Sequence, residues 1–466
     1  MFDRIERGLD PSKSFLYVFQ AVFFGMAIGF CIAQNNPFLL FFAFFLSVRL
    51  FLFLKPNTSI YVILLSVFFL DWLRDMQLIT DQFTLLPDVI LLALTFKVLF
   101  LRWRDRKWVR TPIDIPVLLF IIAGTFSTLI NRQHPVTTIV GFRFDLKYVL
   151  MFYLIVQLAP DERFFKRIFK LFMFLLLIQV PVAVIKSFKY GQGEEAIGTY
   201  AYHTGILSTL LPLAAICIFV GLYFFHKSSF LYILGCLLFF LFSIIGGKRG
   251  FVFFAVFLSG FLVWQAGWRN AVKTAVMTPF FLLGFLSAVY FVPELRPAIE
   301  DPMHLLTFSV SYETMRSKDD GAAAGRTAAL MKSNEILRQN VFRLLVGFGP
   351  GSISQSFFQK YRGRLEDKIP IVYGRSQLVT MSLEYGYLGV LLFLLCIIPF
   401  FRISDRLFRS TEDPFWKSLA FGFKGIVFTY LICMNYGVIF RMDVSGFIFW
   451  FFAAMIFTVE KRGKLL

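Results

Sequence analysis

Residues 230–266 read FLYILGCLLFFLFSIIGGKRGFVFFAVFLSGFLVWQA. Two very apolar runs, Phe230–Ile245 and Gly250–Ala266, flank the short tip Gly246-Gly247-Lys248-Arg249. An apolar run of roughly 20 residues spans the hydrocarbon core of a bilayer as an α-helix. Such runs recur on both sides of the quoted stretch, in a chain of 466 residues that is 58% hydrophobic, 16% charged and holds 64 Phe. Soluble domains average about 25% charged residues, so the composition excludes that class. Membrane β-barrels are built from short alternating segments, and the sequence has none. The fold class is therefore all-α, a polytopic membrane protein.

Working outward, 14 spans are expected. The first eleven are Phe15–Gln34, Pro37–Leu54, Thr58–Leu73, Leu85–Leu101, Ile115–Leu129, Val136–Leu158, Ile168–Ile185, Gly205–Phe225, Phe230–Ile245, Gly250–Ala266 and Val272–Phe291. The last three are Ser382–Phe401, Leu419–Gly437 and Val444–Val459. The chain thus divides into residues 1–291 with spans one to eleven, a polar interval over 292–381, and residues 382–466 with the final three. Met1–Lys13 is short and charged, and no cleavable signal pattern precedes the first span. No internal repeat, low-complexity tract or second soluble domain is apparent.

The formal charge of +18 raises the question of nucleic acid, but its distribution speaks for topology. Lys and Arg in short connections mark the cytoplasmic side. With a cytoplasmic N-terminus, the even-numbered spans end inside, next to Arg102–Arg110, Arg163–Lys170, His226-Lys227, Arg269–Lys273, Arg402–Lys417 and Lys461–Lys464. The opposite connections, such as Asn35-Asn36 and Asn131–His134, are poor in both residues, with Lys186 and Lys189 the clearest exceptions. Both termini are then cytoplasmic, and the long polar interval faces outward.

That interval, from Pro293 to about Gln377, reads as a folded extracytoplasmic cap with short helices. Long loops inside compact proteins are uncommon and usually functional. Ala329, Met331, Ile336 and Leu337 have a helical spacing that predicts one amphipathic helix from Arg326 to Gln339. Gly347-Phe348-Gly349-Pro350-Gly351-Ser352 then breaks it, because clustered Gly and Pro end regular structure. The run lacks the Lys-[Ser/Thr] ending of a phosphate-binding P-loop, so close folding of the loop is the expected role. The five cysteines, Cys31, Cys217, Cys236, Cys396 and Cys433, all fall in apolar runs without metal-ligand spacing. They read as helix-packing residues, and no metal or cofactor is implied.

Four basic features stand on the outward side. They are Arg143 (with Asp145 and Lys147 close by), Lys248-Arg249 at the hairpin tip, Arg326, and Arg375. Ionisable residues at membrane depth are costly and are functional candidates by default. Guanidinium groups converging on one mouth suit a phosphate or diphosphate, because each offers a planar fork of donors. Blander readings stand beside these. Lys248 and Arg249 can snorkel to headgroups, Arg143 can form a structural couple with Asp145, and Arg326 can be a solvated helix-start charge. His203, after Tyr200 and Tyr202, is either a proton acceptor or part of an interfacial aromatic belt.

Gly198-Thr199 with His203, then Lys248-Arg249-Gly250, then a long outer loop with Gly325-Arg326 and Gly347-x-Gly-x-Gly, closed by Gly386-x-x-Gly389, resemble the O-antigen ligase/polymerase superfamily. The order and spacing match from about Arg143 to Phe401, over half of the chain. The resemblance implies a metal-independent glycosyltransferase acting on glycans carried by undecaprenyl diphosphate in the bacterial cytoplasmic membrane. Relatives either polymerise repeat units or ligate finished glycan to a lipid core. Two positions depart from the pattern. Lys248-Arg249-Gly250 replaces the usual Ser-Arg-Gly but keeps the arginine. Arg375-Ser376 stands where ligases carry the histidine thought to act as base, which favours a polymerase and leaves the base open among His203, Glu384 and Asp145.

The chemistry then expected is inverting transfer at an anomeric carbon. Charge grows on the departing diphosphate, and preorganised cations stabilise it in the transition state. Arg249 and Arg326 take that role, with Lys248, Arg143 and Arg375 in support. Expected partners are the lipid-linked glycan, membrane lipids, and flippase and chain-length regulator proteins, with no nucleic acid. A ligase is one alternative. A lipid-linked glycan transporter, from a different class, is another; transporters usually show two related halves and helices broken near the midplane.

Overall fold

A computed structural model of the chain describes residues 55–200, 205–247, 249–267, 270–291, 325–354, 362–366 and 376–463, without the side chains of 81, 82, 194, 249, 285, 288, 289 and 291. Among the described residues every regular element is helical. The helices are α1 (Pro56–Asp75), α2 (Leu86–Asp105), α3 (Asp114–Ile130), α4 (Pro135–Leu158) and α5 (Glu162–Tyr190). Next come α6 (Leu207–Gly221, continued by a π-turn to His226), α7 (Phe230–Ile245), α8 (Arg249–Ala266) and α9 (Ala271–Phe291). Two short helices, α10 (Arg326–Arg338) and α11 (Val341–Val346), precede α12 (Gln377–Ile397), α13 (Pro399–Ser410), α14 (Pro414–Cys433) and α15 (Asp443–Gly463).

The expected spans Phe15–Gln34 and Pro37–Leu54 lie outside the described residues, and each of the others falls on a helix. Six helical stretches among the described residues are long and apolar enough to cross a bilayer, and four apolar helices are shorter. This is a multi-pass helical membrane protein. The helix expected from Arg326 to Gln339 is α10, but it ends at Arg338 where Asn340 caps a new helix, and the Gly347 run expected to break it ends the short α11 instead. Two boundaries move outward from the expectation because of caps. Ser376 Oγ accepts from Val379 N at the start of α12, and Asp413 Oδ1 accepts from Phe415 N at the start of α14. Such caps satisfy amide groups that the first turn leaves without a partner.

The chain forms two compact units, residues 1–66 with 79–108 and residues 67–78 with 109–466. Of the first, the described part is the start of α1 and the turn and helix that follow it, α2. The second unit is built around α6, α14 and α15. The apolar stretch of α6 is buried throughout, as is nearly all of that of α15. α14 packs on α6, α8, α13 and α15, while α15 also packs on α4 and α13. Bilayer lipid is as apolar as leucine, so helices here associate through close packing. Small residues allow it: a side chain on Gly221 would strike the Ser418 carbonyl, and one on Gly422 would meet the Cys217 carbonyl. The wealth of Phe is used the same way. Phe400 packs edge-on against Phe152, Phe449 and Trp450 at centroid distances of 5.4, 6.0 and 5.9 Å, the geometry that aromatic quadrupoles favour. Cys217, Cys236, Cys396 and Cys433 are buried free thiols within these contacts, and Cys31 lies outside the described residues.

Connections expected on one side of the membrane meet each other within this unit. Lys166 pairs with Asp413 (2.8 Å), Arg462 donates to the Ala159 carbonyl, and Lys461 donates to the Arg110 carbonyl (3.3 Å). The opposite connections also meet, through Asn131 and Gly347 (3.0 Å), Gln133 and Pro350 (2.5 Å), and Arg326 and Tyr436 (2.6 Å). Each end of the bundle therefore has its own set of loop contacts.

Candidate functional site

The site begins at a break in α12. Gly386 sits at φ 66, ψ −173 inside the helix, a backbone conformation that only glycine adopts at low cost. The break releases the carbonyls of Leu383 and Glu384 from their helical partners. Amides of the 347–351 run take them: Phe348 N donates to Leu383 O and Gly349 N to Glu384 O, both at 2.8 Å. Gly347 faces Gly386 so closely that a side chain on either would collide with backbone, of Glu384 or of Leu345. The glycines of the 347–351 run thus fold the loop tightly onto the bundle. The Ser127 hydroxyl and Asn131 amide donate to Gly347 O at 3.3 and 3.0 Å, and Gly141 lies flat against Pro350 and Gly351.

Beneath this turn lies a buried charge cluster. Arg441, in the connection between α14 and α15, donates Nε to Asp145 Oδ1 and Nη2 to Asp145 Oδ2, each at 2.6 Å. The same Nη2 donates to Glu384 Oε2, and Nη1 donates to Ser354 Oγ at 2.8 Å. Side-chain exposure is 0% for both carboxylates and 8% for Arg441. Two hydroxyls take up further lone pairs, Tyr385 on Asp145 (2.7 Å) and Ser354 on Glu384 (2.8 Å). A bidentate guanidinium–carboxylate pair with such support fixes geometry as well as charge. It joins α4, α12, the turn at Ser354 and the α14–α15 connection at one point. Next to it, Lys147 reaches Asp443 at 2.9 Å.

The connection Met434–Met442 makes further contacts. Arg326, the first residue of α10, donates Nε to the Tyr436 carbonyl at 2.6 Å and lays its guanidinium 3.9 Å from the Tyr436 ring centroid. The ring edge abuts Gly250, where a side chain would collide with it, and Phe254 packs edge-on at 5.2 Å. Gln377 N donates to Gly437 O (2.9 Å), and Gln377 Oε1 accepts from Phe440 N (3.2 Å). The first turns of α8, α10 and α12 thus all touch this one connection.

The sequence candidates fall into three groups. Asp145 and Glu384 come together on Arg441, while Arg326 meets the Arg249-Gly250 backbone through Tyr436. Arg143 lays its guanidinium 5.3 Å from the Phe144 ring, and Asp145 pairs with Arg441. His203, Lys248 and Arg375 lie outside the described residues, as does the Arg249 side chain. Thr199 of the Gly198-Thr199 pair is a structural pin, donating Oγ1 to Phe68 O (2.6 Å) and N to Gln179 Oε1 (2.8 Å). Between α11 and α12, Arg364 donates to Asn131 O (3.0 Å); burial, then the charge of Arg343, holds its pKa below the usual arginine value. Among the described residues no group of three His, Cys, Asp or Glu is placed to hold a metal ion.

Sequence reasoning passed over Arg441 and Tyr436. The signal for Arg441 was present, since Arg441 and Asp443 are charges beside apolar spans, the rule that singled out Arg143. Tyr436 carried no signal beyond an interfacial aromatic. No family model matches the chain, and no curated protein matches it.

Proposed function

We propose that the protein is a membrane glycosyltransferase that polymerises undecaprenyl-diphosphate-linked repeat units on the outer face of the bacterial cytoplasmic membrane. The observation that carries this reading is the meeting of Arg326 with the start of α8 on Tyr436. Arg249 and Arg326 stand on separate helices, yet their helix starts share one residue at one end of the bundle. A diphosphate leaving group needs cations at its oxygens as charge develops, and two guanidinium forks at one mouth supply that. Lys248, Arg143 and Arg375 are supporting donors from flanking segments. In the reaction, a hydroxyl of the acceptor glycan attacks the anomeric carbon while the carbon–oxygen bond to the diphosphate breaks. The hydroxyl proton passes to a base, and polyprenyl diphosphate departs from the opposite face. Asp145 and Glu384 already accept hydrogen bonds from Arg441, so we assign the base to His203. General-base assistance contributes a factor of about 10²–10⁴.

One observation favours a transporter as second reading. α12 is broken at Gly386, and an ion cluster lies buried among the helices, features that transporters use at their substrate sites. Here, however, the released carbonyls and the carboxylates are taken by the chain's own amides and Arg441. The deciding experiment incubates purified protein in proteoliposomes with lipid-linked repeat units. A ladder of lengthening glycans is expected. A single transfer to a lipid core acceptor would convert the reading to a ligase, and translocation without a new glycosidic bond would overturn the enzyme reading.

A further inference from the structure

We propose that Tyr436 is the positioning residue of the anion site, holding Arg326 at the start of α8 so that both basic helix starts face one anionic group. This rests on the diphosphate reading above and goes beyond it by naming what assembles the site. An arginine side chain has many rotamers, and its fork serves an anion only when fixed. Tyr436 fixes it twice, by its carbonyl on Nε at 2.6 Å and by its ring face at 3.9 Å from the guanidinium carbon. The same ring closes on Gly250, so one side chain touches both the start of α8 and the guanidinium. Phe254 backs the ring edge-on at 5.2 Å.

The ring in turn sits on an anchored segment. Arg441 ties the segment to Asp145 and Glu384, while Gly437 O and Phe440 N tie it to Gln377, the first residue of α12. Gly437 also lies against the side chain of Ile206, the residue immediately before α6. A segment held at four points is a rigid support for a cation. Only the ring and the main chain of Tyr436 take part, because the Arg326 hydrogen bond is to the carbonyl.

The test measures binding of inorganic pyrophosphate to the detergent-purified full chain by calorimetry, alongside KM and kcat for polymer synthesis. Tyr436→Leu should weaken pyrophosphate binding about three- to thirtyfold, the range that loss of a cation–π contact produces. It should raise KM more than it lowers kcat, at unchanged melting temperature. Tyr436→Phe, which keeps the ring and the carbonyl, should recover most of the affinity. In an Arg326→Ala background, Tyr436→Leu should cause little further loss. Should Tyr436→Leu fail to fold, Tyr436→Met fills similar space without a π face and takes its place. Wild-type affinity in Tyr436→Leu, or full multiplicative losses in the double variant, overturns the inference while leaving the diphosphate site standing. Absence of pyrophosphate binding in the wild type, with full polymer synthesis by Arg326→Ala, removes the site and the inference together.

Discussion

At the Gly347 end of the bundle, Arg441 is enclosed with Asp145 and Glu384 at side-chain exposures of 8%, 0% and 0%. At the other end, Lys166 and Asp413 pair at 40% and 36% exposure. Both are ion pairs in the same helical frame, but their energetics differ in kind. An exposed pair exchanges water for a partner at little gain, typically about 0–1 kcal/mol. A buried cluster has given up its hydration, so removing one member strands the others and costs about 3–5 kcal/mol. The exposed pair contributes little, and the enclosed cluster fixes a geometry.

The largest effect should follow from breaking the enclosed cluster. Arg441→Leu leaves Asp145 and Glu384 without their cation and should lose about 3–5 kcal/mol of stability. The readout is thermal unfolding in detergent. Arg441→Leu combined with Asp145→Leu and Glu384→Gln should recover much of that loss, because no charge is then buried unpaired. An Arg441→Leu melting temperature equal to wild type would make the cluster energetically idle.

Next in size is the break in α12. Gly386→Ala must hold φ 66 with a side chain directed at the Leu345 carbonyl. A strained backbone of this kind costs about 1–3 kcal/mol, and the loop amides at Phe348 and Gly349 should lose their acceptors. Hydrogen exchange at Phe348 N and Gly349 N reports this directly. Faster exchange there with a stable helical core is expected, and unaltered exchange would show that the break is not what seats the loop.

The smallest effect belongs to the exposed pair. Burial alone raises the Asp413 carboxyl, but the hydrogen bond from Lys166 and that from Phe415 N outweigh it and hold the group below its usual value. A depressed folded pKa contributes stability above the unfolded value and loses it as pH falls through the folded one. Asp413→Asn should therefore lower the melting temperature slightly at pH 7, and the difference from wild type should close below about pH 4. A difference that grows on acidification would contradict the assignment.

Much of the frame was legible in the sequence because its signals are local. Apolar length located the helices, and the spacing of Ala329, Ile336 and Leu337 located α10. The Gly347–Gly351 run was readable as a break, although not as the partner of a second break at Gly386. What escaped was non-local. Asp145 and Arg441 are 296 residues apart, and nothing in the periodicity of either segment specifies the other. Arg143, two residues from Asp145, was the local candidate for a couple, whereas the carboxylate takes both its arginine hydrogen bonds from the distant Arg441. Tyr436 was invisible for a related reason: its use lies in its main-chain carbonyl and in the side chain missing from Gly250.

The central claim is that Arg249 and Arg326 serve one diphosphate. A double-mutant cycle on polymer synthesis from purified lipid-linked repeat units tests it most directly. Charge-assisted hydrogen bonds contribute roughly 1.5–3 kcal/mol each, so Arg249→Ala and Arg326→Ala should each reduce turnover about ten- to hundredfold. Because both act on one leaving group, the double variant should lose clearly less than the product of the single losses. Multiplicative losses, or full activity in either single variant with folding intact, would contradict the claim.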